Sequence, residues 1–243
     1  MKHIIINNYK INAFGSKETF LNYIADKKKI LIAMNAEKIV KENSNLIEIV
    51  NNNIGYPDGI GAVIALKWNG VKAIKIAGSE FWLDIIKKFQ NIKTFYLVGS
   101  SSTIIEATVK RLKKEYPNIN IVGYQNGFFQ SGDKEKLIAS LQRKKPDIIF
   151  VAQGTPRQEF LMNELIQKHP ALYMGLGGSF DIYGGTKKRA PKLFLKLELE
   201  WFYRLLQEPT RITRQLALLK FITFISMNRL SNKIRFHSFL HSH

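Results

Sequence analysis

An aspartate between a proline and two nearby glycines is the residue of this sequence best suited to acid–base chemistry. Asp58 lies in IGYPDGIG, residues 54–61, and a helical pattern follows it. Aspartate at a loop-to-helix junction is a favoured helix cap. A carboxylate there can also act as a general base on a substrate hydroxyl at the mouth of a site. Taken by itself, the segment favours the capping role.

A second segment, QGTPRQE at residues 153–159, combines capping residues with residues that bind anions. Thr155, followed by a proline and then by Gln158, fits a helix N-cap, a first-turn proline and a capping-box partner. Gln153 and Arg157 then lie beside a helix N-terminus, where a phosphate or a sugar would be bound.

Two further polar residues allow both a structural and a functional interpretation. Asn35, in AMNAEK, can cap a helix or bind a substrate hydroxyl through its amide, and the six residues do not decide between these roles. Asp181 ends the segment MGLGGSFD and can hold ribose hydroxyls, contact a base edge or stabilise a turn. The glycine spacing matches neither a GxGxxG fingerprint nor a P-loop, which weakens hydride transfer and ATP hydrolysis as functions.

The residues that usually hold metals are poorly placed. The chain has no cysteine, five histidines of which three lie in the last seven residues, and no Asp-x-Asp pair. The lack of cysteine excludes a disulfide scaffold, cysteine-ligated zinc, an iron–sulfur cluster and a thiol nucleophile. We therefore expect no metal and no cofactor, with any leaving diphosphate stabilised by Lys, Arg and helix dipoles.

Short apolar runs alternate with helical patterns over the first 186 residues, which predicts an α/β fold with a doubly wound, mostly parallel, Rossmann-like sheet. The predicted strands are Ile30–Met34, Ala73–Ala77, Thr94–Val98, Asn120–Val122, Asp147–Ala152 and Ala171–Leu176. The predicted helices include Thr103–Lys114, Lys134–Arg143 and Pro156–Lys168. Small and polar residues follow most of the strands, among them Gly99, Gly154, Gly177 and Gly178. Turn composition explains any one of these loops; together they favour a nucleotide-type site at that edge of the sheet.

Charge separates the end of the chain from the rest. The 243 residues carry a net charge of +18, and the stretch from Lys187 onward holds twelve Lys or Arg against three Glu, half of that excess. We place a domain boundary there, with a catalytic domain at 1–190 and a basic appendage at 191–243. Leu193–Leu206 and Arg211–Met227 predict basic amphipathic helices, which suit an anionic membrane surface, a partner protein or packing on the domain; of these we expect the anionic membrane surface.

No segment of the sequence has the length of apolar residues that a spanning helix needs, and the run Ile4–Ile6 is too short for the core of a signal peptide. We therefore expect a cytoplasmic protein that is soluble or peripheral to the membrane.

Taken together, the segments resemble the WecG/TagA/CpsF family of glycosyltransferases. Nine of them occur in the order that the family has, from about residue 30 to about residue 220. They are AMNAEK (33–38), PDGIGAV (57–63), KIAGSEFW (75–82), YLVGS (96–100), VGYQNGFF (122–129), PDIIFVAQGTPRQEF (146–160), MGLGGSFDIYGG (174–185), KRAPK (188–192) and LEWFYRLLQEPTRITRQ (199–215). Each motif is weak, but nine in order are specific.

The resemblance implies an inverting, metal-independent enzyme that moves an N-acetylmannosamine-type sugar from UDP to N-acetylglucosamine on undecaprenyl diphosphate. That step builds cell-envelope polysaccharides at the inner face of the bacterial membrane. It implies that Asp58 is the base and that Asn35 and Gln158 line the sugar pocket, whereas Asp181 contacts the nucleotide. It further implies that three arginines of the appendage meet the diphosphate, namely Arg204, Arg211 and Arg214.

Departures from the family pattern bear on the donor. Relatives that make teichoic acid usually carry Thr at Ala33, Arg at Lys75 and Asp at Glu80. The form of AMNAEK resembles the WecG branch, which uses N-acetylmannosaminuronic acid. The carboxylate of that sugar would suit a cation such as Lys75 or Arg157.

Other functions remain open at this point. The donor could be UDP-N-acetylmannosamine or another UDP-hexose, and the chain could be an inactive membrane scaffold. A nucleic-acid-binding protein would suit the sequence pI of about 9.9, but the excess charge gathers in a Leu- and Phe-rich tail, so we expect no nucleic acid partner. A homo-oligomer is possible.

Overall fold

The computed structural model describes residues 2–41, 43–185 and 220–223 of the chain. Within these ranges the strands are β1 (His3–Ile6), β2 (Tyr9–Asn12), β3 (Ile30–Met34), β4 (Ile54–Pro57), β5 (Thr94–Gly99), β6 (Asn120–Gln125), β7 (Ile148–Ala152) and β8 (Leu172–Gly175). The helices are α1 (Lys17–Ile24), α2 (Ala36–Val40), α3 (Ser44–Asn52), α4 (Ile60–Trp68), α5 (Gly78–Phe89), α6 (Ser102–Glu115), α7 (Asp133–Lys144), α8 (Arg157–Lys168) and α9 (Ser179–Tyr183).

Strands β3 to β8 form one parallel sheet in the order β4-β3-β8-β7-β5-β6. The central strand β7 reads IIFVA and is buried along its whole length, as expected for a strand covered on both faces. Alternate side chains of β3 enter two different cores, since Ile30 and Ile32 pack with α2, α3 and α8, whereas Leu31 packs with α1 and α5. The predicted doubly wound, Rossmann-like α/β fold is confirmed.

An antiparallel hairpin of β1 and β2 precedes the sheet, and the strand prediction missed it. Asn7 and Asn8 form its turn with φ values of 46° and 65°. Asparagine tolerates this left-handed conformation, which two-residue hairpin turns require. Ile4 and Ile11 of the hairpin are fully buried in the same core as α3 and α8. The apolar run near the start of the chain is therefore a strand of the folded domain.

Most of the predicted strands are confirmed within one to three residues at their ends, but the one at Ala73–Ala77 is wrong. That segment is extended and makes isolated backbone hydrogen bonds, from Ile74 N–H to Phe14 O at 3.0 Å and from Ile76 N–H to Pro57 O at 2.8 Å. Its alternating apolar pattern reflects burial beside the edge strand β4 rather than membership of the sheet.

The basic appendage lies almost entirely outside the described residues, as does the boundary near residue 190, so both remain predictions. Residues 220–223 are helical, in agreement with the predicted helix Arg211–Met227 over these four positions. Phe221 is fully buried and belongs to the core cluster that contains the hairpin. In the part of the chain that the structure describes, no helix has the length and apolarity required to cross a bilayer.

Candidate active site

The carboxyl ends of all six parallel strands meet at one edge of the sheet, and the polar residues singled out from the sequence collect there. Asp58 follows β4, Asn35 follows β3, and the pair Gln153–Gly154 follows β7. Gly99 ends β5 and Gly177 lies two residues after β8. This is the edge where open α/β sheets bind their ligands.

Asp58 is fixed by the first residue of a helix that begins twenty positions later. Its Oδ1 accepts a hydrogen bond from the Gly78 backbone N–H at 2.7 Å, at the start of α5. The predicted capping of the helix that follows Asp58 is therefore wrong. The helix that follows Asp58 directly, α4, has Gly59 as its N-cap and no side-chain cap. The contact orients a half-buried carboxylate at the sheet edge.

A buried phenol lies beneath this carboxylate. A Cβ placed on Gly78 would come within 2.6 Å of the Tyr56 hydroxyl and 3.4 Å of Asp58 Oδ1, so the three groups are packed together. Among the described residues the Tyr56 hydroxyl has no hydrogen-bond partner. Burial raises the pKa of Tyr56 well above its usual value, and the charges of Asp58 and Glu159 raise it further. Tyr56 is therefore a neutral phenol beside two carboxylates.

Asn35 caps α2, as one of its two interpretations predicted. Its Oδ1 accepts the Lys38 backbone N–H at 2.9 Å. A Cβ on Gly59 would lie 3.3 Å from the Asn35 Cβ, and the Asp58 backbone N–H donates to Met34 O at 3.1 Å. Asn35 and Asp58 are thus neighbours at the ends of adjacent strands.

Behind these residues lies a buried ion pair that the sequence analysis missed. Lys38 Nζ is 2.6 Å from Glu159 Oε1, and their side chains are 4% and 1% exposed. Lysine and glutamate on helices normally mark solvent-facing positions, so the helical pattern gave no sign of this pair. The signal that was present is their place inside the motifs AMNAEK and QGTPRQE, next to the candidate site residues.

The predicted capping box at Thr155 and Gln158 is wrong. The N-cap of α8 is Pro156, and no side chain caps the helix. The Thr155 hydroxyl donates instead to Glu159 Oε1 at 3.0 Å. Gln158 is buried, and its Oε1 accepts the Gly177 backbone N–H at 2.8 Å, joining the ends of β7 and β8. The Thr155 hydroxyl therefore bonds the buried carboxylate of Glu159 rather than the backbone at the start of α8, which the local pattern predicted.

At the other end of the edge the backbone is closely packed. Gly99 has a φ of 135°, and a Cβ there would overlap the backbone of Ala152. Gly127 approaches as closely, since a Cβ on it would lie 2.8 Å from the Gly99 Cα. The Gly127 N–H donates to Ser100 O at 2.8 Å and Gln153 Nε2 donates to Gly127 O at 2.8 Å. Three loops therefore lie together, and the side chain of Gln153 links two of them.

Asp181 lies beside this packed backbone on the short helix α9. Its Oδ1 accepts a hydrogen bond from the Ser100 hydroxyl at 2.5 Å. Tyr183 holds α9 against α6, donating to Glu115 Oε2 at 2.6 Å and accepting from Arg111 Nη1 through its backbone oxygen at 2.9 Å. Burial raises the pKa of Tyr183, and its hydrogen bond to Glu115 raises it further. The position of Asp181 is thus fixed by its own contact with Ser100 and by the contacts of Tyr183 with α6.

Two exposed aromatic residues, one in β6 and one after it, were also missed as individual site residues. Phe128 is 73% exposed, and Tyr124, near the end of β6, is 45% exposed. Large exposed aromatic rings beside a glycine-rich edge offer flat surfaces for a nucleobase. Both residues lie in VGYQNGFF, so the motif marked the segment although it did not indicate which side chains are exposed.

The remaining predicted residues divide into three sets. Arg157 is exposed at the first position of α8, and Lys75 is exposed three residues before Gly78. Gly154 and Gly178 lie in the loops after β7 and β8. The three appendage arginines lie outside the described residues: Arg204, Arg211 and Arg214. Over the ranges that the structure covers, no three His, Cys, Asp or Glu side chains are grouped as a metal site would require.

Comparison with known protein families gives a match over nearly the whole chain. The family model described as "Glycosyl transferase WecG/TagA/CpsF family" matches residues 4–235. The matched range includes every candidate site residue named above, and the resemblance inferred from the nine motifs is confirmed.

Proposed function

The chain belongs to the WecG/TagA/CpsF family of glycosyltransferases, and from this premise we propose that it is an inverting, metal-independent hexosyltransferase. Membership makes it a glycosyltransferase of cell-envelope polysaccharide synthesis. The proposed donor is UDP carrying an N-acetylmannosamine-type sugar, with N-acetylmannosaminuronic acid favoured. The proposed acceptor is N-acetylglucosamine on undecaprenyl diphosphate.

The observation that carries the proposal is the carboxylate of Asp58, oriented by the Gly78 N–H at the same sheet edge as the Ser100–Asp181 contact. The acceptor hydroxyl oxygen forms a bond to the anomeric carbon while the bond from that carbon to the diphosphate oxygen breaks. UDP leaves with the bonding electron pair and Asp58 takes the hydroxyl proton. A single displacement of this kind inverts the anomeric configuration.

The other end of the edge is suited to the nucleotide. Asp181 accepts hydrogen bonds from ribose hydroxyls, and Phe128 stacks on the uracil ring. The loops at Gly154 and Gly178 approach the diphosphate through their backbone N–H groups. Arg157 and the arginines of the appendage neutralise the charge that develops on the leaving UDP.

Sequence and charge support the membrane partner. The excess of Lys and Arg after residue 187 would bind anionic lipid headgroups at the inner face of the bacterial membrane, where the acceptor lies. The enzyme is then peripheral, and the appendage completes the site over the lipid-linked acceptor.

The test is transfer of a radiolabelled sugar to a synthetic polyprenyl-diphosphate N-acetylglucosamine acceptor, in EDTA. Wild type is compared with Asp58→Ala and with the matched control Asp26→Ala, whose carboxylate is 94% exposed. We expect transfer by wild type and by the control, and none by Asp58→Ala. Absence of wild-type transfer from any UDP-hexose, with intact acceptor, would contradict the proposal and favour the inactive scaffold.

Lys75 provides the test of the donor. A cation beside the sugar carboxylate should favour the uronic acid donor, so Lys75→Ala should raise its KM about tenfold. The KM for UDP-N-acetylmannosamine should stay within about twofold, since that sugar has no carboxylate. The matched control is Lys72→Ala, an exposed lysine three positions before Lys75. An equal change in the KM for the two donors would contradict the preference for the uronic acid donor.

A further inference from the structure

The ion pair between Lys38 and Glu159 is the most deeply buried one in the part of the chain that the structure describes. The ammonium and carboxylate groups are 2.6 Å apart, and neither side chain is more than 4% exposed. Both charges are withdrawn from water, which is costly unless further hydrogen bonds compensate for the lost solvation. The structure supplies such bonds on one side of the carboxylate.

These bonds join three strand ends. Lys38 Nζ also donates to Ala33 O at 2.9 Å, near the end of β3. Glu159 Oε1 accepts from the Thr155 hydroxyl at 3.0 Å and from Gln158 Nε2 at 3.4 Å, on the loop and helix that follow β7. Through its other amide atom, Gln158 accepts the Gly177 N–H after β8. The pair therefore links the loops that carry the proposed sugar pocket.

The pair does not reach the substrate itself. Both Glu159 and Lys38 are buried behind the edge, and Glu159 Oε2 is inaccessible and has no hydrogen-bond partner among the described residues. Lys38 nevertheless connects directly to a pocket residue, because its backbone N–H is the group that Asn35 caps. Displacement of either member would move Asn35 on one side or Gln158 on the other.

Stability alone does not account for the pair, because apolar side chains of similar volume can replace a buried ion pair with little loss of stability. We propose that Lys38 and Glu159 are positioning residues that fix Asn35 relative to Gln158 for sugar transfer, an inference that rests on the proposed function. Misplacement of a reacting group by about 1 Å lowers transfer on the order of 100-fold. The pair acts on the transfer step and leaves the Ser100–Asp181 contact unchanged.

The experiment compares Lys38→Met, Glu159→Gln and the double variant Lys38→Met/Glu159→Leu. A matched control removes Lys134 and Glu164, an exposed pair 2.7 Å apart that also ends on α8. Each protein is measured for its Tm, its affinity for UDP and its kcat and KM in the transfer assay. The Met and Leu substitutions keep side-chain volume while removing both charges and every hydrogen bond of the pair.

We expect each single variant to lower Tm by about 10 °C. The double variant should recover most of that loss, yet its kcat should stay about 100-fold below wild type. Its UDP affinity and donor KM should remain within about threefold, since the hydrogen bonds of the pair end at Gly177 and do not include the Ser100–Asp181 contact. The control pair should change no readout by more than about twofold.

Three outcomes would overturn the inference. A double variant with wild-type kcat and recovered Tm would make the pair purely structural. If the double variant does not fold, Glu159→Gln decides the question below its own Tm, and a wild-type kcat there contradicts positioning. A wild type that transfers no sugar would instead overturn the proposed function, and this inference with it.

Discussion

The two ends of the sheet edge are built in different ways. At the ends of β3 and β4 the site consists of side chains, with Asn35 and Asp58 held by hydrogen bonds and Lys38 buried behind them. At the ends of β5 and β7 it consists largely of backbone, with Gly99 packed against Ala152. The first end suits the movement of a proton, and the second suits close contact with a diphosphate.

This difference predicts how substitutions at each end will affect the fold and the activity. An isosteric substitution at the side-chain end can keep the fold and remove the chemistry, because one functional atom changes. At the backbone end, added volume should damage the fold, whereas loss of an exposed side chain should weaken binding only slightly. Four substitutions test the contrast, in order of decreasing expected effect.

Asp58→Asn should lower kcat by about 1000-fold, since the amide cannot take the acceptor proton. The Tm should stay within about 2 °C of wild type, because the amide oxygen can still accept the Gly78 N–H at the start of α5. Steady-state transfer kinetics and thermal unfolding measure the two effects, with Asp26→Asn as the control. More than a tenth of wild-type kcat in Asp58→Asn would refute the role of the carboxylate as base.

Gly99→Ala should destabilise the protein by about 2–4 kcal/mol, because its Cβ overlaps Ala152 and the φ of 135° is unfavourable for alanine. The control is Gly15→Ala, where a Cβ would meet no atom within 4 Å, and it should change stability by less than about 1 kcal/mol. Urea unfolding measures both. Equal stability of the two variants would show that the backbone at the nucleotide end is not tightly packed.

Asp181→Asn should weaken UDP binding about tenfold, because a neutral acceptor replaces a charged one opposite the ribose. The amide can keep the contact with the Ser100 hydroxyl, so the fold should be unchanged, and kcat at saturating donor should fall by less than about threefold. Calorimetric titration with UDP and transfer kinetics measure these effects. A large loss of kcat with unchanged UDP affinity would indicate that Asp181 acts at the reacting centre rather than on the nucleotide.

Phe128→Ala should weaken UDP binding about fivefold through loss of base stacking. The side chain is 73% exposed, so Tm should not change. Ile92→Ala is the control, as an apolar residue of similar exposure, 71%, between α5 and β5. Unchanged UDP affinity in Phe128→Ala would show that this ring does not contribute to the proposed nucleotide site.

The sequence predicted the sheet and the edge well because both depend on local patterns. Continuous apolar runs identified central strands such as Ile30–Met34, and glycine and polar residues after the runs identified the ligand edge. The hairpin at the start of the chain was not predicted, although its Asn7–Asn8 turn is a local signal. The run Ile4–Ile6 was compared only with the core of a signal peptide.

Contacts between distant segments could not be predicted in this way. Asp58 accepts the backbone N–H of Gly78 at the start of α5, and nothing near Asp58 in the chain indicates that partner. Lys38 and Glu159 lie 121 positions apart, and each has the residue type of a solvent-facing helix position. A periodicity argument assigns such residues to the surface, whereas the fold pairs them in the interior.

The most direct test of the division between the two ends is the affinity of Asp58→Asn for UDP, measured by calorimetry in EDTA. Because Asp58 is proposed to act on the acceptor hydroxyl, the variant should bind UDP within about twofold of wild type while transferring almost no sugar. A loss of UDP affinity as large as the loss of transfer would contradict this account, since Asp58 would then hold the donor.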